Sequence, residues 1–195
     1  MPVTSPHSRP RRAWLNGLLA ACFLALAVPA AAEHTPEHSE DTLKAAFIYK
    51  FTAFVSWPPS SFAQPQAPFV IGVSGDPAVA SALDQVVAGR TWEGRAISVR
   101  RLGNYDKTDD LQVLYVGGQQ PAILREALQA VQGPVLVVSN QDDGLRLGSV
   151  INLSASRGRV RFSVSMAAAE ARSLKLSSRL LAVALSVERA PGAAN

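Results

Sequence analysis

The chain has 195 residues, of which 48% are hydrophobic and 17% are charged. This length indicates one domain or at most two small ones. The balance of apolar and charged residues excludes a disordered chain, a coiled coil and a collagen-like repeat. A single cysteine, Cys22, excludes a disulfide scaffold and a zinc site built on paired CxxC motifs.

The first 32 residues have the features of an export signal. Arg9, Arg11 and Arg12 precede residues 13–28, which are almost wholly apolar, and small alanines end the segment. Positive charge, an apolar core and small exit residues in this order are typical of a signal peptide. We therefore predict that residues 1–32 are removed by cleavage after Ala32.

Three alternatives concern this same segment. A membrane anchor is disfavoured, because the apolar run is shorter than the roughly 20 residues that span a bilayer. Arg11–Arg12 resembles a twin-arginine motif, so general secretion and twin-arginine export both stay open. Residues 19–22 resemble a lipobox that would lipidate Cys22, but the residues after Cys22 stay apolar, which favours a soluble exported protein.

Removal of the signal changes the charge of the protein. Three of the 19 basic residues lie in it, so the mature chain keeps 16 basic against 15 acidic residues. This near balance gives no electrostatic reason to expect a nucleic acid partner. The mature chain also lacks cysteine, so its core must supply the stability that disulfides provide in many exported proteins.

Hydrophobic periodicity predicts alternating helices and strands after a polar linker over residues 33–40. The first helix is predicted over residues 41–56, and Trp57–Pro58–Pro59 ends it. Strands and helices then alternate, and such units form parallel sheet. The strands are predicted at 68–73, 96–101, 111–116 and 134–139, and the helices at 77–88 and 119–131.

The pattern changes near the C-terminus. Residues 150–153 and 160–164 are joined by a polar turn and predict an antiparallel hairpin. An apolar stripe then predicts one long helix over residues 165–187, followed by a disordered tail at 190–195. We therefore predict one three-layer α/β domain over residues 41–189, with a mostly parallel sheet flanked by helices and an antiparallel hairpin near the C-terminus.

The predicted domain lacks the residues of the common nucleophilic enzymes. Residues 41–195 contain no histidine and no cysteine, so Ser/His/Asp and Cys/His systems have no base or thiolate. The GxSxG, Walker and GxGxxG motifs are also absent. His34 and His38 have a metal-ligand spacing, but Pro36 between them disfavours the helix that such a site needs.

Two pairs of neighbouring aspartates are the other candidates for chemistry. Asp109–Asp110 and Asp142–Asp143 fall in predicted loops, where two carboxylates can hold a hard cation or support hydrolysis. Solvated loop charges are far commoner. We therefore predict that the protein is not an enzyme and uses no cofactor and no metal.

The turn after the first predicted sheet strand is a candidate anion site formed by Gly72, Ser74, Gly75 and Asp76. It lies at the carboxyl end of a strand and before a helix, where open α/β sheets bind ligands. A simpler interpretation is that the glycines make the turn and Asp76 caps the helix.

The C-terminal segment is unusually basic. Residues 157–189 hold seven basic residues against two acidic ones. Such a patch suits a carboxylate, a phosphate or an acidic partner, although ordinary surface solubility also accounts for it. We predict that Arg161, Phe162, Arg172, Lys175 and Ser177 contact a partner protein.

The order of motifs resembles the YfiR family over about residues 41–187. No single motif is specific for this family, but the order of the motifs behind an export signal is. The motifs are LKAAFIYKF (43–51), Trp57–Pro58, FVIGVSGD (69–76), GSVINL (148–153), GRVRF (158–162) and LKLSSRLL (174–181).

This resemblance implies a small periplasmic α/β protein, often dimeric, that acts by binding. It implies that the protein holds an inner-membrane diguanylate cyclase inactive through the cyclase's periplasmic sensor domain. An outer-membrane lipoprotein with an OmpA-like domain would sequester it and relieve the repression. Cyclic di-GMP output and biofilm formation would follow.

The sequence departs from the family pattern at several positions. Leu111–Gln112 stands where the family often has a Cys-His pair, and a second family cysteine is missing, so redox control is not expected. Ser149 replaces the second glycine before the hairpin. Ser163 and Ser165 replace an acidic residue and an asparagine in a region implicated in contacts, which leaves the identity of the partner open.

Overall fold

The computed structural model describes residues 40–103, 106, 108–118, 120–156 and 158–189. All of them belong to one compact unit of the chain. The predicted signal peptide and tail lie outside the described residues, as does the predicted linker up to residue 39. Within the described part, no helix has the length and hydropathy needed to cross a bilayer.

Six α-helices, one short 3-10 helix (Pro59–Ser61) and ten strands make up the described part of the chain. The helices are α1 (Glu40–Phe51), α2 (Pro77–Val87), α3 (Pro121–Ala130), α4 (Gly144–Leu147), α5 (Met166–Ala171) and α6 (Ser178–Ala182). The strands are β1 (Val55–Ser56), β2 (Phe69–Ser74), β3 (Thr91–Trp92), β4 (Arg95–Leu102), β5 (Val113–Val116), β6 (Leu136–Ser139), β7 (Ile151–Ser156), β8 (Arg159–Ser165), β9 (Lys175–Leu176) and β10 (Ser186–Glu188).

Eight of the strands form one sheet in the order β10-β8-β7-β6-β5-β2-β4-β3, and β1 and β9 form a second, two-stranded sheet. The pairs from β4 through β2, β5 and β6 to β7 are parallel, as is β10 with β8. The β7–β8 hairpin is antiparallel and places Leu153 opposite Phe162. The predicted fold, a mostly parallel sheet flanked by helices with an antiparallel hairpin, is confirmed.

Helices cover both faces of the sheet because each strand of its centre is apolar on both sides. One core joins α1 and α2 to one face and includes Ile48, Phe69, Leu83 and Phe162. A second core, on the other face, includes Leu124 of α3 together with apolar residues of β2, β5 and β6. Complete burial of one such side chain contributes about 1.5–3 kcal/mol.

The order of the strands reverses between β2 and β5. From β2 the chain crosses to β4 on one side and then returns to β5 on the other side. Open α/β sheets bind ligands at the carboxyl ends of the strands at such a reversal. The predicted anion site, at the end of β2, therefore lies at the position where the fold makes a ligand most expected.

The first helix is shorter than predicted. It ends at Phe51 rather than at residue 56, and the Thr52 hydroxyl donates to the Tyr49 carbonyl at 2.7 Å as the chain turns. Val55 and Ser56 then pair with Leu176 and Lys175. Pairing with β9 therefore replaces the last helical turn.

The prediction of one long helix over residues 165–187 is wrong. Two short helices and two short strands, α5, β9, α6 and β10, occupy this segment. Helix α5 ends just before Ser173, which adopts a φ of 55°. The Leu174 N–H then donates to the Ala169 carbonyl at 2.9 Å. Ser177 then caps α6. Pairing of β9 with β1 and of β10 with β8 outweighs the helical periodicity of this sequence.

Candidate partner-binding surface

Gly72 lies inside β2 rather than in the turn that follows it. A Cβ atom there would lie 2.7 Å from Leu102 Cδ1 and 2.9 Å from Leu111 Cδ1. Such distances are shorter than any normal carbon contact. Glycine at this position therefore makes room for two leucine side chains, and its backbone faces no open crevice.

The turn itself, Ser74 to Asp76, is packed against the loop after β5. Gly75 has a φ of 76°, and a Cβ there would lie 2.6 Å from the Gly117 carbonyl oxygen. The Gly117 N–H donates to the Ser74 carbonyl at 2.8 Å. The two loops that would form the walls of a ligand crevice thus contact each other directly.

Both carboxylate oxygens of Asp76 accept hydrogen bonds from within the protein. Oδ1 accepts from the Val79 N–H at 3.1 Å, which caps α2, and Oδ2 accepts from the Tyr115 hydroxyl at 3.3 Å. Burial raises the pKa of Tyr115, and the charge of Asp76 raises it further, so the phenol stays a donor. The geometry supports the simpler interpretation of this turn, and anion binding at Gly72, Ser74, Gly75 and Asp76 stays a prediction.

One aspartate of each loop pair forms an ion pair with an arginine. Asp110 accepts two hydrogen bonds from Arg100, at 2.7 and 2.6 Å, which lower the pKa of its carboxyl group. Asp143 pairs with Arg146 at 3.0 Å. Among the described residues, no group of three or more His, Cys, Asp or Glu is placed to hold a metal ion.

The cations of residues 40–103 are mostly engaged with the rest of the protein. Lys44 pairs with Glu40 at 2.7 Å, and Arg101 pairs with Asp84 at 2.7 Å. The guanidinium of Arg95 lies 4.0 Å from the ring centre of Phe62. These contacts satisfy the positive charges inside the molecule.

The basic residues of the C-terminal segment differ from these cations. Within the described part of the chain, none of their side chains forms an ion pair, a hydrogen bond or a cation–π contact. They are Arg159, Arg161, Arg172, Lys175, Arg179 and Arg189, which we call the unpaired cations. Two further side chains of this kind, Lys50 and Arg125, lie elsewhere.

Arg159 and Arg161 belong to the polar face of the β7–β8 hairpin. The register places them opposite Ser156 and Ser154, and all four side chains are exposed. Successive residues of a strand point to opposite faces. The arginines therefore project into solvent on the face of the sheet opposite to that on which α1 packs.

Phe162 is the most buried of the predicted contact residues. Its side chain is 4% exposed, and its ring lies 5.0 Å from that of Phe51 and 6.2 Å from that of Phe47. Phe162 thus joins β8 to α1 in the core, on the face opposite to Arg161. Phe162 also lines a groove beside β8, so its contact with a partner stays a prediction.

The remaining predicted residues lie on other elements. Arg172 follows α5 and is half-buried, and desolvation lowers the pKa of its guanidinium. Lys175 is exposed on β9, opposite Ser56. Ser177 accepts from the Arg179 N–H at 3.3 Å and donates its own N–H to the Phe54 carbonyl at 2.9 Å, so it holds α6 in place. The five predicted contact residues therefore differ in exposure, and their contact with a partner stays a prediction.

Two exposed apolar side chains lie in the same region and were not predicted from the sequence. Val183 and Leu185 are 70% and 57% exposed, and they are the large hydrophobic residues most open to solvent in the described structure. Interpreted as part of a long helix, Val183 was expected to lie on the apolar stripe of that helix. Residues 183–188 alternate between larger apolar and small or polar side chains, and this period of two was the available signal.

A comparison with curated proteins gives no match. The sequence profile of the YfiR/HmsC-like family matches residues 41–185, which include nearly all of the described fold. Proteins of this family are periplasmic and regulatory rather than catalytic, which is consistent with a regulator of cyclic di-GMP signalling. The chain belongs to the YfiR/HmsC-like family.

Proposed function

We propose that this protein represses an inner-membrane diguanylate cyclase by binding the cyclase's periplasmic sensor domain. The family match over residues 41–185 supports the cyclase as partner. The export signal predicted for residues 1–32 would bring the protein to the compartment in which that sensor domain lies. Binding would hold the cyclase inactive and lower cyclic di-GMP output.

One observation carries the docking part of this proposal, namely that most of the described cations without an internal partner fall between residues 159 and 189. A cation without an internal partner keeps its full capacity to bind a carboxylate. Arg172 is the strongest candidate, because it is the least exposed of the unpaired cations and desolvation lowers the pKa of its guanidinium. A partner carboxylate would meet it in an environment where charge-assisted hydrogen bonds are worth more than in bulk water.

The test is calorimetric titration of the protein with the purified sensor domain of the cyclase. We expect Arg172→Glu to weaken binding by roughly tenfold or more, because the substitution sets a negative charge against the partner's carboxylate. Arg125→Glu is the matched control. Arg125 is exposed on α3 and is also without an ion pair, so the same substitution there should leave the affinity unchanged.

Circular dichroism of both variants checks that the fold is intact. An affinity unchanged by Arg172→Glu would remove Arg172 from the interface. A wild-type protein that does not bind the sensor domain would overturn the proposed function itself.

The relief of repression belongs to the same proposal. An outer-membrane lipoprotein with an OmpA-like domain would compete for the protein and release the cyclase. A homodimer is the assembly that the family resemblance implies. Both stay predictions.

A further inference from the structure

The outer edge of the hairpin is only partly covered. β7 pairs with β8 along its whole length, from Arg159 to Val164, but β10 pairs with β8 only from Ser163 to Ser165. The Leu185 N–H adds one bond to the Phe162 carbonyl, at 2.7 Å. Beside residues 159–161, no described strand occupies the outer side of β8.

The alternation of the backbone shows which groups this open edge presents. The Phe162 carbonyl points away from β7, because it accepts from Leu185. Backbone groups two residues apart in a strand point the same way, so the N–H and the carbonyl of Val160 face the open edge. An unpaired donor and acceptor at a sheet edge form a template for another strand.

Apolar side chains line the space beside this edge. These side chains form a groove that is open to solvent. It contains both exposed large hydrophobic residues, Val183 and Leu185, together with Phe47 and Val160. Exposed apolar residues that cluster in one groove indicate an interaction site. We call this space the hairpin groove.

The opposite face of the same edge is cationic. Arg159 and Arg161 line an adjoining depression with Ser154, Ser156 and Leu185. Neither arginine contacts a carboxylate among the described residues. A strand added to β8 would therefore place its side chains alternately against an apolar wall and against two free guanidinium groups.

The charges argue against a second copy of this chain as the occupant. Antiparallel pairing of two β8 strands about Val160 would place Arg159 of each copy opposite Arg161 of the other. Like charges directly opposite each other destabilise a strand pair. The chemistry instead suits a segment whose side chains facing the arginines are acidic.

We propose that a short extended segment of a partner protein adds to β8 at residues 159–161. Its backbone bonds the N–H and carbonyl of Val160, its apolar side chains enter the hairpin groove, and its carboxylates bind Arg159 and Arg161. Strand addition of this kind takes affinity from main-chain bonds and specificity from alternate side chains. The inference rests on the proposed function for the identity of the partner, while the chemistry of the segment comes from the groove.

Two octapeptides and the cyclase sensor domain serve as probes in calorimetric titrations. One peptide alternates valine with glutamate, and the other alternates valine with lysine. We expect the glutamate peptide to bind at least tenfold more tightly, because only its charges complement the arginines. Equal affinity for the two peptides, or no binding of the glutamate peptide, would overturn the proposal.

Two variants locate the site. Val160→Pro removes the N–H that faces the open edge and leaves the bonds to β7, a position that an edge strand tolerates. Leu185→Ser removes the apolar wall. Leu185→Ser should weaken binding of the glutamate peptide and of the sensor domain by roughly tenfold, since burial of one leucine is worth that much. Val160→Pro should weaken both by a similar factor, because one backbone hydrogen bond to the added strand is lost. Ala182→Ser, exposed on α6 and outside the groove, is the control and should change nothing.

The outcomes separate this inference from the proposed function. Sensor-domain binding that is indifferent to both variants overturns the groove and leaves the function standing. Groove-dependent peptide binding without sensor-domain binding overturns the function and leaves the groove. If sedimentation instead shows a dimer that Leu185→Ser dissociates, and the glutamate peptide does not bind, the groove is an interface between copies and the proposal fails. Circular dichroism identifies any variant that is misfolded, and the other variant then decides.

Discussion

The turn after β2 and the C-terminal basic segment are both typical of binding sites in sequence, but they differ in how their polar groups are used. In the turn, Asp76 accepts two internal hydrogen bonds and Gly75 lies against the backbone of Gly117. In the C-terminal segment, the unpaired cations have no described partner. The turn lies at the sheet position where ligands are most expected, yet its polar groups already bond to other groups of the protein.

This difference shows that residue type and topology do not by themselves make a site. A group is available to a ligand only when the fold leaves it unsatisfied. Substitutions in the turn should therefore lower stability, whereas substitutions of the unpaired cations should change binding and leave stability nearly constant.

The largest expected effect comes from Gly75→Ala, which tests how tightly the turn is closed. The left-handed backbone and the contact with the Gly117 carbonyl together should lower the free energy of unfolding by about 3 kcal/mol. Gly89→Ala is the matched control, since Gly89 has a φ of 69° and nothing within 4 Å of a Cβ. That variant should lose only about 1 kcal/mol. Urea denaturation of both measures the difference, and equal losses would show that the loops are not in contact.

A smaller effect is expected from Asp76→Ala. The substitution removes the cap of α2 and leaves the Tyr115 hydroxyl without a partner, which together should cost about 2 kcal/mol. Asp142→Ala, in an exposed loop, should stay within about 0.5 kcal/mol of the wild-type protein. Thermal unfolding compares them. A gain in stability for Asp76→Ala would indicate that this carboxylate is held for a ligand rather than for the fold.

The smallest effect concerns the paired and unpaired arginines. Hydrogen bonds from Arg100 lower the pKa of Asp110 in the folded state. The stabilisation is therefore present above the unfolded pKa, near 4, and is lost as pH falls through the lower folded value. Because the pair is largely exposed, it is worth about 0.5 kcal/mol or less. Arg100→Ala should flatten the acid side of the stability–pH curve, while Arg161→Ala should reproduce the wild-type curve.

Local signals were sufficient to predict much of the fold. Asp76 followed by Pro77 marks the start of α2, and both lie where the sequence placed them. The hairpin follows from the alternation of Val160, Phe162 and Val164. In these segments the local preference and the tertiary contacts agree, so short-range patterns suffice.

The C-terminal segment could not be predicted in the same way, because its local and tertiary preferences differ. Residues 165–187 have helical periodicity, but Leu176 pairs with Val55 more than a hundred positions earlier in the chain. The basic character of the surface was visible in the sequence. The sequence did not show which cations lack partners. That depends on where the fold places the aspartates and glutamates of the other segments.

The shortness of β10 has a consequence for the reach of the open edge. This strand has three residues and pairs with β8 alone in the sheet, so few backbone hydrogen bonds oppose its local unfolding. Its detachment would extend the unpaired edge of β8 from residues 159–161 to Ser165. A partner strand that displaced β10 would more than double the number of β8 residues with which it pairs. The stability of the β10–β8 pairing therefore determines how much of β8 a partner can bind.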